Sequence, residues 1–327
     1  MNTSVLKEKI VGFAVMMFLF IGVFLIQHTP LKAAEKFVIG ISQFAEHPAL
    51  DAVRQGFEDE LKAQGVETEI IYKNAQGDTG VAGIIAQKFA ADKVDLIFGI
   101  ATISAQTAKQ ATDTIPVLFS AVTDPVHSQL VNSMENVGGN VTGTTDASPM
   151  NKQLALFKQL DSNIKKVGII YNTSESNSEI QVAQAKEIVK SLGIEIVTVG
   201  VNNINDIPQA VNSLSSKADA LYAITDNIVA SAAGLIAKSA AERKMLTIAA
   251  EEGPVKNGLL MTDGLSYYEL GKQTGLMAKK ILVDKVNPKD MPVESLQNTT
   301  KIVNENTMKK LKLDKNNPAF EGAVFVK

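Results

Sequence analysis

The sequence predicts an α/β protein of two lobes, each built on a parallel sheet with helices on both faces. From Phe37 onward, apolar runs of four to seven residues alternate with longer segments of helical period, the pattern of βαβ units. The series then occurs a second time with its landmarks at matching intervals. Between the two lies a glycine- and threonine-rich stretch, 137–145, which suits a hinge strand crossing from one lobe to the other. Its double glycine has the spacing of neither a dinucleotide fingerprint nor a P-loop.

In the first series, 38–42, 67–72, 94–100 and 115–120 read as strands, and 49–64, 79–91 and 104–111 as helices. In the second, 167–171, 194–199, 220–224 and 246–249 read as strands, separated by helices near 177–192, 205–216 and 228–242. Gly40 and Gly65 bracket the first unit at a separation of 25 residues, and Gly168 and Gly193 bracket its counterpart at the same separation. Asp95 to Thr102 likewise parallels Asp219 to Asp226, each a strand that empties into polar residues. Farther on, 258–261 reads as a strand and 267–284 as a helix. Pro288 and Pro292 then break the chain, and 303–307 opens a last helix. The apolar patch 323–326 fits either a tail or an edge strand.

Composition narrows the function. The chain has 327 residues, 45% apolar and 20% charged, enough for two cores of ordinary size. A net charge of −3 without a Lys/Arg cluster gives no footprint for nucleic acid. The absence of cysteine removes disulfides, thiol nucleophiles, thiolate zinc sites and attachment of lipid through an N-terminal cysteine. No hydrolase, zinc or P-loop motif is present, so no cofactor or metal is expected.

The N-terminus sets the expected location. Lys7 and Lys9 precede seventeen apolar or glycine residues, 10–26, and the chain then turns polar and small. Residues 1–34 therefore read as a secretory signal or an uncleaved membrane anchor, either of which puts the body outside the cytoplasmic membrane.

The candidate chemistry lies at the strand ends. The run 115–119 ends in Ser120, Thr123 and Asp124 before Pro125 stops it, and in open parallel sheets ligands bind beyond the carboxyl ends of the strands. The other polar ends are 43–47, 101–104, 172–177, 225–227 and 250–252. Small hydroxyls and free N–H groups at helix starts suit a carboxylate. Asp124, Asp226 and Glu251 can accept from an ammonium, and Phe44 offers an apolar face, an inventory that fits a zwitterion with a flat side chain. Structural roles stay open beside these. Ser176 with Glu179 fits a capping box; Thr102, Ser104, Thr225 and Asp226 fit N-caps; Asp124 fits a turn and His47 a loop.

Taken together, 41–51, 99–102, 121–126, 140–143 and 225–227 resemble the tryptophan/tyrosine substrate-binding family of ABC transporters across about 37–313, with Val122-Thr123-Asp124-Pro125 the most specific block. The resemblance implies a type I periplasmic-binding-protein fold, two Rossmann-like lobes joined by a three-segment hinge. It also implies a non-enzymatic, monomeric receptor that delivers an aromatic amino acid to an ABC permease with a cytoplasmic ATPase. Carried over by position, the ligand contacts fall on Phe44, His47, Thr102, Ser104, Thr123, Asp124, Ser174, Asn177, Asp226 and Asn227, to which the residue inventory adds Glu251. One lobe is expected to comprise 37–145 and 265–287, the other 146–264 and 290–327, with bending near 143–147, 263–266 and 286–292. A sugar or nucleobase ligand in the same fold, and a small-molecule enzyme such as a racemase or deaminating hydrolase, are the rival readings.

Overall fold

The computed structural model describes residues 36–327; the expected leader, 1–34, lies outside the described residues. Strands β1 (Phe37–Gln43), β2 (Thr68–Asn74), β3 (Leu96–Ile100), β4 (Val117–Val122) and β5 (Val141–Thr145) alternate with helices α1 (Pro48–Ala63), α2 (Thr79–Ala91) and α3 (Thr102–Ala111). The second series is α4 (Met150–Leu160), β6 (Lys166–Asn172), α5 (Ser176–Ile188), β7 (Glu195–Val201), α6 (Ile207–Ser215), β8 (Ala220–Ala223), α7 (Asn227–Ser231), α8 (Ala233–Glu242), β9 (Leu246–Glu251), α9 (Glu252–Lys256) and β10 (Met261–Leu265). The chain closes with α10 (Tyr267–Leu282), β11 (Glu294–Ser295), β12 (Thr300–Asn304), α11 (Glu305–Lys310) and β13 (Val324–Val326).

The strands form two sheets, ordered β11-β5-β4-β3-β1-β2 and β13-β12-β10-β9-β8-β6-β7. Adding five to each label of the run β5-β4-β3-β1-β2 reproduces the run β10-β9-β8-β6-β7, so the repeat in the sequence is a repeat in topology. Its landmarks do the same work twice. The Asp95 carboxylate accepts from Val38 N–H at 2.7 Å, and the Asp219 carboxylate accepts from Lys165 and Lys166 N–H at 2.8 Å, tying each lobe's first strand to its neighbour. Gly65 and Gly193 both take the left-handed conformation that ends a helix, at φ 67° and 62°.

Four readings of the sequence are corrected. Residues 303–307 do not simply open a helix: Thr300–Asn304 form β12, antiparallel to β10 in a sheet otherwise parallel, because Ile302 and Val303 bury there. Asn304 then caps α11 by accepting from Thr307 N–H at 2.9 Å. The strand expected at 258–261 begins at Met261 and runs to Leu265, and the single helix expected at 228–242 is broken between α7 and α8. The third crossover falls after the prolines, not at 286–292. Thr142 donates to the Met291 carbonyl at 3.0 Å and Glu294–Ser295 pair with β5, so 288–295 stays on the first sheet and the chain crosses at 296–299. Pro288 opens a short 3-10 turn and Pro292 follows it, and neither ends the lobe.

Helix α10 returns to the first lobe and lies against α1 with almost no side chain between. A Cβ on Gly56 would stand 2.1 Å from the Tyr268 carbonyl oxygen, and one on Gly271 2.0 Å from that of Val53. Beneath, Phe57 of α1 stacks on Phe98 of β3 at 4.1 Å, joining the helix pair to the sheet. Gly271→Ala should force the helices apart and lower stability by about 1–3 kcal/mol, seen as a lower denaturant midpoint. Gly83→Ala, in α2 with nothing within 4 Å of the added methyl, should leave the midpoint unchanged or raise it, by a gain in stability of up to about 0.5–1 kcal/mol.

Candidate functional site

The carboxyl ends of both sheets meet at a cleft with about 380 Å³ of space unfilled by protein, part of it continuous with solvent. The first lobe contributes two strained strand exits. Ala101 ends β3 with φ 78° and Ala121 lies near the end of β4 with φ 56°. Of the eight non-glycine residues with positive φ among those described, these two alone are buried, and both line the cleft. Such conformations persist where surrounding structure fixes them, and they cluster at functional sites. Ala101 is also the N-cap of α3 and has no side-chain oxygen to offer, so the first N–H groups of that helix stay free at the cleft wall beside Thr102. Helix α1 likewise starts at His47-Pro48 without a side-chain cap.

Two hydrogen bonds cross the cleft, and their polarity is set from the second lobe. Gln181 Oε1 accepts from the Thr225 N–H and hydroxyl at 3.0 and 2.8 Å, so the Thr225 oxygen accepts from the Thr123 hydroxyl at 3.1 Å. The Asn227 amide nitrogen donates to Glu175, which turns its Oδ1 toward His47 Nε2 at 3.2 Å and makes that nitrogen the donor. Burial lowers the His47 pKa, against the hydrogen bond to Asn227 and the charge of Asp51. The first lobe thus donates in both bonds and the second accepts.

Buried carboxyls dominate the rest. Asp226 accepts from Asn172 N–H at 2.6 Å, the Ser178 hydroxyl at 2.7 Å and Val229 N–H at 2.9 Å, so both of its oxygens are engaged within the second lobe. Beside it, burial and then the Asp226 charge push Glu175 up to about 7. Glu251, at the end of β9, is pushed up to about 8 by burial, with the Glu252 and Asp146 charges adding to the shift and the Gly253 N–H opposing it. Asp146 leaves β5 at the first crossover, 3% exposed; the Tyr267 hydroxyl donates to its Oδ2, and its Oδ1 has no partner. Burial raises its pKa as well.

Of the residues expected at the site, His47, Thr102, Thr123, Asn177, Asp226, Asn227 and Glu251 come together around this cleft. Four do not line it. Phe44 is packed into the first lobe's core, 2% exposed. Ser104 is fully buried behind the first turn of α3, its hydroxyl 3.3 Å from that of Ser42. Asp124 closes a turn by accepting from His127 N–H at 2.9 Å, and Ser174 is exposed, its N–H donating to Asn172 Oδ1. The capping box is absent too: Glu175 is the N-cap of α5, no side chain caps that helix, and Ser176 is exposed. Asp146 and Tyr267 were not among the expected residues. The signal for them was positional, since each follows a crossover strand, β5 or β10, at a polar strand end like those of the other exits.

The sequence profile of the ABC transporter substrate binding protein family matches residues 38–323. The chain belongs to this family. It is 44% identical over 281 residues to a tyrosine-binding protein of Clostridioides difficile, an alignment covering 85% of this chain and 81% of that one. A structure of an ABC domain from Streptococcus pneumonia in complex with L-Trp superposes with a TM-score of 0.85 at 31% identity, over 90% of this chain and all of that one. A ligand-free, open substrate-binding protein from Clostridium difficile scores 0.69 at 44% identity, over 89% of this chain and 99% of that one. In shape this substrate-binding protein stands nearer the liganded relative than the open one of more similar sequence, as the two bonds across its cleft require. More distant solute-binding proteins, at 15–19% identity, share the type I periplasmic-binding-protein fold.

The buried carboxyls give the closed form a pH dependence. Glu251 has a folded-state pKa of about 8 against an ordinary 4.5, so its contribution to stability is full below about 4.5 and is lost as pH rises through 8. His47, with its pKa lowered, acts in the opposite sense as pH falls below its ordinary 6.5. Thermal melts between pH 5 and 8 should therefore show Glu251→Gln gaining on wild type as pH rises, and a constant difference would contradict the assignment.

Proposed function

We propose that the chain is an extracytoplasmic solute receptor of an ABC importer that binds an aromatic amino acid, tyrosine or tryptophan, as a zwitterion in the cleft. The observation that carries this reading is Asp146 Oδ1, a buried acceptor without a partner, beside a second buried carboxyl at Glu251. Two carboxyls whose pKa values are raised by burial suit a ligand ammonium. The uncapped start of α3 suits the ligand carboxylate, and Leu50, Ala101, Ala121, Ile224 and Tyr267 offer apolar walls to a ring. The tyrosine-binding relative and the relative in complex with L-Trp support the same ligand class.

In this reading the protein binds and releases without catalysis and works as a monomer. Its lobes bend at the three crossovers and close on the ligand, presenting a joint surface to the permease. Export past the cytoplasmic membrane rests on residues 1–34; among the described residues no helix is long and apolar enough to cross a membrane.

A thermal-shift screen over the twenty amino acids, nucleobases and simple sugars tests the ligand. At a hundredfold excess over Kd, binding to the native state adds about 2.7 kcal/mol of stability. Tryptophan or tyrosine should give the largest shift, and stabilisation by a sugar alone would overturn the reading. By calorimetry, Asp146→Asn should weaken amino acid binding roughly tenfold to a hundredfold, the range of a charge-assisted hydrogen bond. Asp124→Ala should leave affinity unchanged, because its carboxylate serves a turn.

A further inference from the structure

Asp146 is not the cleft's only unpartnered acceptor. Asn177, the second residue of α5, is 4% exposed and lines the cleft, and its Oδ1 is buried without a hydrogen bond. Its amide orientation is dictated by its neighbours. The Nδ2 group faces the Thr225 carbonyl at 3.2 Å and a Glu175 carboxylate oxygen at 3.5 Å. A flip would set Oδ1 against those acceptors, so the amide nitrogen must turn toward them and the oxygen is the atom left without a protein partner. A buried acceptor left unmade costs free energy, and one that lines a binding cleft without a protein partner is placed to be satisfied by what enters.

The two orphan acceptors differ in kind. Asp146, at the crossover, is a carboxyl with a second carboxyl close by, suited to a cation; Asn177 Oδ1 is a neutral acceptor at the start of α5, lining the same cleft as the apolar side chain of Ile224. A ligand satisfying both carries an ammonium and, separately, a neutral donor on its apolar part. We propose that Asn177 Oδ1 accepts a hydrogen bond from a ring N–H or O–H of the ligand, so that the receptor selects aromatic amino acids bearing a ring donor, tryptophan or tyrosine, against phenylalanine. This rests on the amino acid reading of the cleft and adds to it the residue that sets the side-chain preference.

The test uses two matched pairs, each differing chiefly in the donor: L-tyrosine with L-phenylalanine, and L-tryptophan with L-3-benzothienylalanine, in which sulfur replaces the indole N–H. Calorimetric titration of the wild-type protein should show the donor-bearing member of at least one pair binding roughly tenfold or more tightly. Asn177→Leu, close in volume and without an acceptor, should close that gap to within about twofold, since nothing is then left unsatisfied by the donor-free ligand. The Thr225 carbonyl keeps its bond from Gln181 Nε2 at 3.0 Å in that variant. Equal affinity within both wild-type pairs overturns the proposal, as does a gap that survives the substitution. Should Asn177→Leu fail to fold, the wild-type pairs decide alone. Binding of none of the four ligands would bring down the amino acid reading itself, whereas tight but indiscriminate binding would bring down only the role of Asn177.

Discussion

A parallel strand must be left through its carboxyl end and the next entered from the opposite edge, by way of a helix. Applied to two sheets facing each other, that constraint sends the polar exits of both lobes to one cleft. It also sets which atoms are free there: helix starts with unused N–H groups, and side chains that have just left a sheet and have not yet entered a helix. Ala101, Asn177, Asp226 and Glu251 all occupy such positions. The cleft owes its mixed character to this, with N–H donors from uncapped helix starts in one lobe and buried carboxyls from the other lobe and the crossover.

That constraint is also why so much was legible beforehand. The period of the apolar runs, the paired glycines and the two matched aspartates are properties of the repeat, and a repeat of βαβ units has few ways to fold. Strand exits could be listed from the sequence, and most side chains on that list meet around one space. What could not be read is which side chains at an exit face the cleft and which face the lobe. Asp124 and Asp146 are both acids at the end of a first-lobe strand, yet one closes a turn and the other is held by Tyr267 from 121 residues away. No local pattern separates them. Likewise β12 is a five-residue strand immediately ahead of a short helix, and its strand character comes from pairing with β10, a contact remote in sequence.

Asp226 shows the same division within one residue type. Its carboxylate looks suited to a ligand, but three donors of its own lobe already meet it, and it works as a cap that fixes the start of α7 and the exit of β6. Glu175 next to it, held by three asparagine amides, in turn fixes the face that Asn227 shows to the first lobe. The second lobe presents its cleft-facing groups by burying charge behind them, an arrangement that costs stability and yields a fixed orientation.

The polarity of the two cross-cleft bonds has a consequence for motion. Each joins neutral groups, and each has a net worth of only about 1 kcal/mol. The closed form is therefore held across the cleft by two weak contacts, with buried carboxyls beside them. Contacts of that size do not lock two lobes together, so any ligand that touches both lobes shifts the balance toward the closed form by its differential affinity for it.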